Sequence, residues 1–225
     1  MRSDSRPQLK APRGACDTHM HIYDHRFPKA PTAKIDPPDA SLADYLAMRP
    51  RLGIRGVRFF MLAGAPLPIE ILETMAARVA PFGWHVQFQT DGRVLPEHET
   101  MLQRLPTILS IDHVGKFLEP VEPDHPGFRT LLRLLDNGRT WIKLAAPYET
   151  SKLGPPYYDD VGKLAKLLVK AAPERTIWAT NWPHLMSGER KPKDSWMLDM
   201  LLDWVPHEAT RNKVLVDNPA KLYGF

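Results

Sequence analysis

The sequence predicts an α/β fold in which a parallel sheet is built from successive strand–helix units. Apolar runs of strand length alternate with longer segments of helical period along the 225 residues, and this alternation is typical of βα units. With 43% hydrophobic residues, the chain can bury a sizeable core. No shift in composition marks an internal linker, so we predict a single domain over residues 1–225, with residues 1–14 as an extended N-terminal arm.

Six strands and seven helices are predicted in order along the chain. Short apolar runs predict strands at residues 15–22, 56–62, 84–90, 108–114, 141–145 and 176–180. Segments of helical period predict helices at residues 41–52, 69–79, 97–105, 128–135, 158–171, 194–204 and 207–218. Ser41 with Asp44 three residues later is close to a capping box, and Pro96 stands at a helix entrance. These signals support the predicted helix beginnings.

Composition and charge exclude several classes of protein. Charged residues make up 25% and aromatic residues 9%, which excludes an intrinsically disordered chain. No apolar run approaches the roughly eighteen residues of a membrane span. The 30 basic and 26 acidic residues are spread along the chain, so we expect no nucleic-acid partner. The N-terminal residues form no apolar signal segment and Cys16 is the single cysteine, so we expect a cytoplasmic protein.

Polar side chains stand at the ends of three predicted strands. Asp17, His19 and His21 alternate at the end of the first strand, so their side chains project to one face. His113 lies near the end of the fourth strand, and Asn181 follows the last one. Polar groups at one end of several parallel strands are typical of an active site built from βα loops. Simple polar capping of strand ends is the alternative interpretation.

Six segments, taken in order, carry a resemblance to a known family. The sequence resembles the amidohydrolase-related (amidohydrolase 2) family of lactone-processing enzymes in APRGACDTHMHIY, GVRFF, IDHVGKF, WIKLAAPYETS, WATNWPH and VLVDNPAKLYGF. The resemblance covers nearly the whole chain, and the YETS and closing segments are most similar to a lactone-isomerising branch. It implies a TIM-type (β/α) barrel of the metal-dependent hydrolase superfamily, chemistry at a lactone carbonyl and, for this branch, frequent independence from metal.

The resemblance also implies catalytic positions for five residues. Asp17, His19 and His21 match the DxHxH of the family's first strand. His113 matches the mid-barrel histidine, and Asn181 stands where hydrolytic relatives have an aspartate. A neutral carboxamide cannot act as a general base near neutral pH, which favours transfer of the acyl group to a hydroxyl of the same molecule. Because His19 can still serve as a base for water, lactone hydrolysis and lactone isomerisation both stay open.

Substrate binding is assigned to six residues at or near strand ends: Arg58, Gln87, Gln89, Lys143, Tyr148 and His184. Arg58 matches the arginine with which the family holds a substrate carboxylate, a task that suits a planar guanidinium. Lys143 can do the same from the fifth predicted strand, and the amide and hydroxyl groups can donate hydrogen bonds to lactone oxygens. The alternatives are pairing of Arg58 with a structural acid and packing of the other side chains at the rim.

Metal binding is not expected. A binuclear site of this superfamily would also need a bridging lysine and an aspartate at the position of Asn181, and the sequence shows no convincing bridging lysine. The alternative is a single zinc ion on His19 and His21, with His113 as a further candidate ligand.

The chain is short for a complete barrel, which normally needs about 250 residues. In the family, two further strands and their helices would stand between Ile54 and Arg55, so we predict that about two βα units are absent. Exposed strand edges would follow, and a second copy in a homodimer is one way to cover them. Hydrolysis of a small carboxylated lactone in sugar acid metabolism is the leading function, isomerisation is the alternative, and a catalytically impaired remnant with a binding or assembly role is the third.

Overall fold

The computed structural model describes residues 7–18, 55–62, 67–184 and 191–225. Within these ranges five strands form one sheet: β1 Gly56–Phe60, β2 His85–Gln89, β3 Leu109–Ile111, β4 Thr140–Leu144 and β5 Thr176–Trp178. The strands lie in the sheet in the order in which they occur in the chain, and every neighbouring pair is parallel. This confirms the predicted parallel α/β architecture.

Helices alternate with the strands and follow the last one. They are α1 Ile71–Val79, α2 Leu95–Arg104, α3 Pro126–Asp136, α4 Asp159–Ala171, α5 Asp194–Asp199, α6 Leu201–Trp204, α7 Glu208–Asn212 and α8 Asn218–Tyr223. Prolines stand in the first turn of α2, α3 and α8, where the missing N–H costs no helical hydrogen bond. Short 3₁₀ turns lie at Ala80–Phe82, Gly92–Val94, His113–Gly115, Pro147–Glu149 and Pro173–Arg175. None of the helices in the described ranges is long and apolar enough to span a membrane.

The two faces of the sheet differ in polarity. Alternate strand residues such as Phe59, Phe88, Ile111 and Leu144 pack into the main hydrophobic core, and helix residues such as Phe128 belong to the same core. Burial of each such side chain contributes about 1.5–3 kcal/mol. Because side chains alternate along a strand, the residues between them lie on the other face. That face carries Arg58, Gln87, Gln89, Asp112 and Lys143.

Three predicted strands differ from the structure. Residues 15–18 of the predicted strand 15–22 form no strand, since the backbone N–H of Cys16 donates to the carbonyl of Leu215 instead of to a sheet neighbour. The N–H of Thr18 does donate to the carbonyl of Trp178 at 3.3 Å. The strand predicted at 108–114 ends at Ile111, because a strand cannot accommodate the φ of 54° at His113. The strand predicted at 176–180 ends at Trp178.

The C-terminal helices are also more interrupted than predicted. The helix predicted at 194–204 ends at Asp199 and resumes at Leu201. The helix predicted at 207–218 consists of α7, a π-helical turn at Lys213–Asp217 and α8. Pro219 in the first turn of α8 has no backbone N–H to donate. The Asn218 side chain connects α8 to the segment before and at the start of β5, because it donates to the carbonyls of Pro173 and Thr176. The helix predicted at 41–52 lies outside the described residues.

Candidate functional site

Backbone strain is concentrated where the strands end. Among the described residues other than glycine, those with positive φ are His113, Val114 and Lys116 after β3, Ala146 after β4, Asn181 and His184 after β5, and Tyr158 before α4. Residues other than glycine rarely adopt this left-handed backbone conformation, and residues held in it cluster at functional sites. The carboxyl end of the sheet is therefore the candidate site on backbone geometry alone.

A buried carboxylate organises the polar face of the sheet. Asp112 follows β3 and is completely buried. Its Oδ2 lies 3.2 Å from Nε of Arg58 and accepts a hydrogen bond from Nε2 of Gln87 at 3.0 Å. Its Oδ1 lies 3.4 Å from Nζ of Lys143. Two basic side chains, from β1 and β4, thus meet one buried carboxylate.

Arg58 is held on two sides. Besides its ion pair with Asp112, its Nη2 donates to Oε1 of Gln89, and its guanidinium lies 5.8 Å from the centre of the Phe60 ring. The Arg58 side chain nevertheless stays 29% exposed. A guanidinium has five N–H donors in a fixed plane, so this arrangement orients Arg58 while leaving part of it open to an anion.

Lys143 is completely buried on β4. Its Nζ donates to the carbonyl of Thr18 at 3.3 Å, and the Tyr223 hydroxyl donates to the same carbonyl at 3.2 Å. Burial lowers the pKa of Lys143 and the carboxylate of Asp112 opposes this shift. Lys143 therefore presents no exposed ammonium group, and it contacts the segment at residues 7–18 through Thr18.

A second cluster joins the loops that follow β3, β4 and β5. Nδ2 of Asn181 donates to the Tyr148 hydroxyl at 2.7 Å and to Oε1 of Glu149 at 2.9 Å. Nδ1 of His184 lies 3.1 Å from the Tyr148 hydroxyl. Glu149 forms an ion pair with Lys116 in which both side chains are more than 90% buried. Three consecutive strand-end loops are tied together by these contacts.

Lys116 has a shifted acid–base equilibrium. Burial and the positive charge of Arg58 together lower the pKa of Lys116 to about 8, although the carboxylate of Asp112 opposes the shift. The ion pair with Glu149 also favours the charged amine. The influence of Arg58 and Asp112 on Lys116 connects the two clusters electrostatically.

The histidines predicted as catalytic are only partly described. His113 follows Asp112 in the turn after β3 and is 3% exposed. His19 and His21 lie outside the described residues. Asp17 precedes them, and its carboxylate accepts hydrogen bonds from the backbone N–H and the hydroxyl of Thr180. Asp17 therefore connects the segment at residues 7–18 to Thr180, the residue that precedes Asn181.

Four residues of these clusters were not predicted as site residues: Asp112, Lys116, Glu149 and Asp194. Asp112 and Lys116 flank the His113 turn in IDHVGKF, and Glu149 follows Tyr148, so proximity to predicted residues was the available signal. Asp194 begins α5, and its Oδ1 lies 2.9 Å from Nε2 of His184. Nothing in the local sequence of Asp194 indicates this contact.

The described residues contain no group of three or more His, Cys, Asp or Glu side chains that could hold a metal ion. Asn181 directs its amide N–H groups at Tyr148 and Glu149, so in this arrangement those groups act as donors and not as ligands. The single-zinc alternative depends on His19 and His21, which are not among the described residues. We derive no step through a metal ion.

The fold and the site define an α/β protein whose candidate site is built from the loops at the carboxyl ends of parallel strands. The sequence profile of the amidohydrolase family matches residues 51–225. The chain belongs to the amidohydrolase family, which confirms the resemblance seen in the sequence.

Relatives and a solved structure support this assignment over nearly the full chain. D-galactarolactone isomerase of Agrobacterium fabrum is 30% identical over 277 residues, which cover 98% of this chain and 94% of the isomerase. 2-Pyrone-4,6-dicarboxylate hydrolase of Comamonas testosteroni is 28% identical, with 97% and 93% covered. An apo crystal structure from Agrobacterium tumefaciens has a TM-score of 0.82 and 28% identity, with 97% of this chain and 98% of that chain covered.

Proposed function

We propose that this protein is an enzyme that acts at the carbonyl of a small carboxylated lactone, with hydrolysis as the leading reaction. The observation that carries the proposal is the partly exposed guanidinium of Arg58, oriented by Asp112 and Gln89 on the polar face of the sheet. A carboxylate binds such a group through charge-assisted hydrogen bonds. Relatives named as a galactarolactone isomerase and a pyrone dicarboxylate hydrolase support the same substrate class.

The proposed substrate-binding residues differ in how far their side chains are exposed to solvent. Arg58 binds the substrate carboxylate directly, whereas Lys143 is completely buried and adds positive charge behind it. Gln87 donates to Asp112 and Gln89 accepts from Arg58, so both hold the ion-pair cluster in place. Their proposed contribution is thus to orient Arg58 rather than to bind the lactone ring.

The catalytic assignment is that of an acyl transfer. His19, His21 and His113 polarise the lactone carbonyl or move protons, and Asp17 orients the first-strand segment. Asn181 orients the reacting oxygen. These roles rest on the family resemblance and on the position of His113 and Asn181 in strained turns at strand ends.

Isomerisation is the second candidate reaction, and Asn181 favours it. Its carboxamide is neutral and donates to Tyr148 and Glu149, so it cannot take a proton from an attacking water. Transfer of the acyl group to a hydroxyl of the same molecule needs positioning more than it needs a hydroxide.

The architecture proposed for the whole chain is a (β/α) barrel that lacks about two βα units after Ile54. The alignment with the isomerase spans 277 residues, more than the 225 of this chain, which supports an internal shortening. A second copy that covers the open strand edges would make the protein a homodimer. Light scattering tests this: a folded, active monomer over a wide concentration range would contradict the proposed dimer.

A panel of lactones followed by NMR separates the candidate functions. The panel contains sugar-acid lactones and a pyrone dicarboxylate, each matched with an analogue that lacks the carboxylate. We expect turnover of carboxylated members, with release of acid for hydrolysis or a change of ring size without acid release for isomerisation. No turnover of any member would contradict the enzymatic proposal and favour a non-catalytic remnant.

A further inference from the structure

We propose that Tyr148, His184 and Asp194 form a proton relay in which Tyr148 is a catalytic residue and the other two are positioning residues. The inference rests on the proposed lactone chemistry and adds the group that carries the proton. It replaces a substrate-binding role for Tyr148 and His184 with one in proton transfer.

The three side chains form a linear chain of contacts from three separate elements. The Tyr148 hydroxyl, in the 3₁₀ turn after β4, lies 3.1 Å from Nδ1 of His184. Nε2 of His184, in the loop after β5, lies 2.9 Å from Oδ1 of Asp194 at the start of α5. The His184 ring also packs edge-on against the Tyr148 ring, with centroids 5.4 Å apart. Both ring nitrogens of one imidazole are thereby engaged.

The acceptor chemistry of Asp194 assigns the proton positions. An ionised carboxylate only accepts hydrogen bonds, so Nε2 of His184 must carry a proton. In the neutral imidazole Nδ1 then carries none and is an acceptor. The group at Nδ1 is the Tyr148 hydroxyl, which therefore donates to it. Neutral His184 is thus set to receive a proton from Tyr148, and Asp194 stabilises the imidazolium that results.

The surroundings of Tyr148 suit an oxygen that gains and loses a proton. Nδ2 of Asn181 donates to this hydroxyl at 2.7 Å, and such a donor stabilises negative charge on the phenolic oxygen. The His184 side chain is only 4% exposed, whereas Tyr148 is partly exposed. Tyr148 is therefore the member of the relay that can reach a substrate, while His184 is shielded behind it.

The relay gives a balanced step for either lactone reaction. The attacking oxygen, from water or from a substrate hydroxyl, forms a bond to the carbonyl carbon and gives its proton to the Tyr148 oxygen, while the Tyr148 proton passes to Nδ1 of His184. The ring C–O bond then breaks, and the ring oxygen takes a proton from Tyr148 as His184 returns its proton. One C–O bond forms and one breaks, and the enzyme ends in its starting protonation state.

Matched single-atom variants test the relay. Tyr148→Phe removes only the hydroxyl, and we expect kcat to fall at least about a hundredfold with KM nearly unchanged. Asp194→Asn should lower kcat about tenfold or more, because the imidazolium of His184 loses its negatively charged partner. The controls are Tyr157→Phe, at a residue that is 60% exposed, and Asp159→Asn, at the exposed first residue of α4. Wild-type kcat in Tyr148→Phe would overturn the relay.

A spectroscopic measurement tests the arrangement without turnover. In ¹⁵N-histidine-labelled protein, the His184 resonances are assigned with His184→Gln, and we expect the neutral tautomer that is protonated at Nε2. Protonation at Nδ1 alone would overturn the relay even in an active enzyme. If no lactone is turned over by the wild-type protein, the proposed function fails and the catalytic role of Tyr148 fails with it. If lactones are turned over but Tyr148→Phe is fully active, only the relay fails.

Discussion

The ammonium group of Lys143 and the carboxylate of Asp112 lie 3.4 Å apart, and both side chains are completely shielded from solvent. Two buried charges of opposite sign are tolerated together, but either one alone is strongly destabilising. Arg58 and Gln87 also contact the Asp112 carboxylate. These contacts around Asp112 therefore help to hold β1, β2, β3 and β4 in register.

Asp112→Asn is expected to lower the free energy of unfolding by about 3 kcal/mol or more, because Lys143 and Arg58 lose their shared counter-charge. Urea denaturation measures the change. The control is Asp203→Asn, which breaks a solvent-exposed pair with Lys166 and should cost less than about 1 kcal/mol. Equal losses in the two variants would show that the buried cluster does not stabilise the sheet.

His85 makes the stability dependent on pH in mildly acidic solution. Burial and the nearby charge of Lys143 lower the pKa of His85 from 6.5 to about 4. Between these values the unfolded chain binds a proton that the folded chain does not, so stability falls as the pH drops from about 6.5 to 4, by up to about 3 kcal/mol. We expect His85→Gln to reduce this loss in urea denaturation at pH 7 and pH 5. The control is His207→Gln, at an exposed position, which should leave the loss of stability between pH 7 and pH 5 unchanged. An equal loss in the wild type, His85→Gln and His207→Gln would refute the role of His85.

Arg58→Lys is expected to raise KM for a carboxylated lactone about tenfold or more, with a smaller effect on kcat. A lysine is a point charge that cannot contact Asp112, Gln89 and a substrate carboxylate in one plane, and a hydrogen bond to a charged group contributes about 1.5–3 kcal/mol. Steady-state kinetics with the matched lactone that lacks the carboxylate is the control. An equal rise of KM for both lactones would argue against carboxylate binding by Arg58.

Activity is expected without added metal, because Asn181 replaces the aspartate that a binuclear site needs. Rates are compared before and after dialysis against a chelator, with metal content measured in both samples. Unchanged rates in metal-free protein agree with this prediction. Loss of activity on chelation, with recovery on addition of zinc, would instead favour a single zinc ion on His19 and His21.

Alternation along strands was enough to predict part of the site. Arg58 on β1, Gln87 on β2 and Lys143 on β4 occupy the same face of one parallel sheet, so their side chains point to the same side because of the alternation along each strand. The strand predicted at 84–90 matches His85–Gln89 closely, since it is buried on both faces. Asp112 was missed because, next to a more conspicuous histidine, nothing local shows that it pairs with two cations.

The loop cluster could not be predicted from the sequence. Asn181, Tyr148 and His184 come together where Asn181, His184 and Ala146 adopt left-handed backbone conformations. Asn and His tolerate this conformation better than most residue types, but the sequence does not show which of these residues adopt it. The contact between His184 and Asp194 joins the segment after β5 to the start of α5. Such contacts arise from tertiary structure, so they carry no periodic signal.

The initial rate of lactone consumption measures whether residues at the carboxyl end of the sheet transform a lactone. The wild-type protein is compared with His19→Ala, His113→Ala and His113→Asn; the last keeps a residue type that tolerates the left-handed backbone at this position. We predict turnover of a carboxylated lactone by the wild type, and rates at least about a hundredfold lower in all three variants. Wild-type rates in the three variants would show that His19 and His113 do not act in lactone turnover.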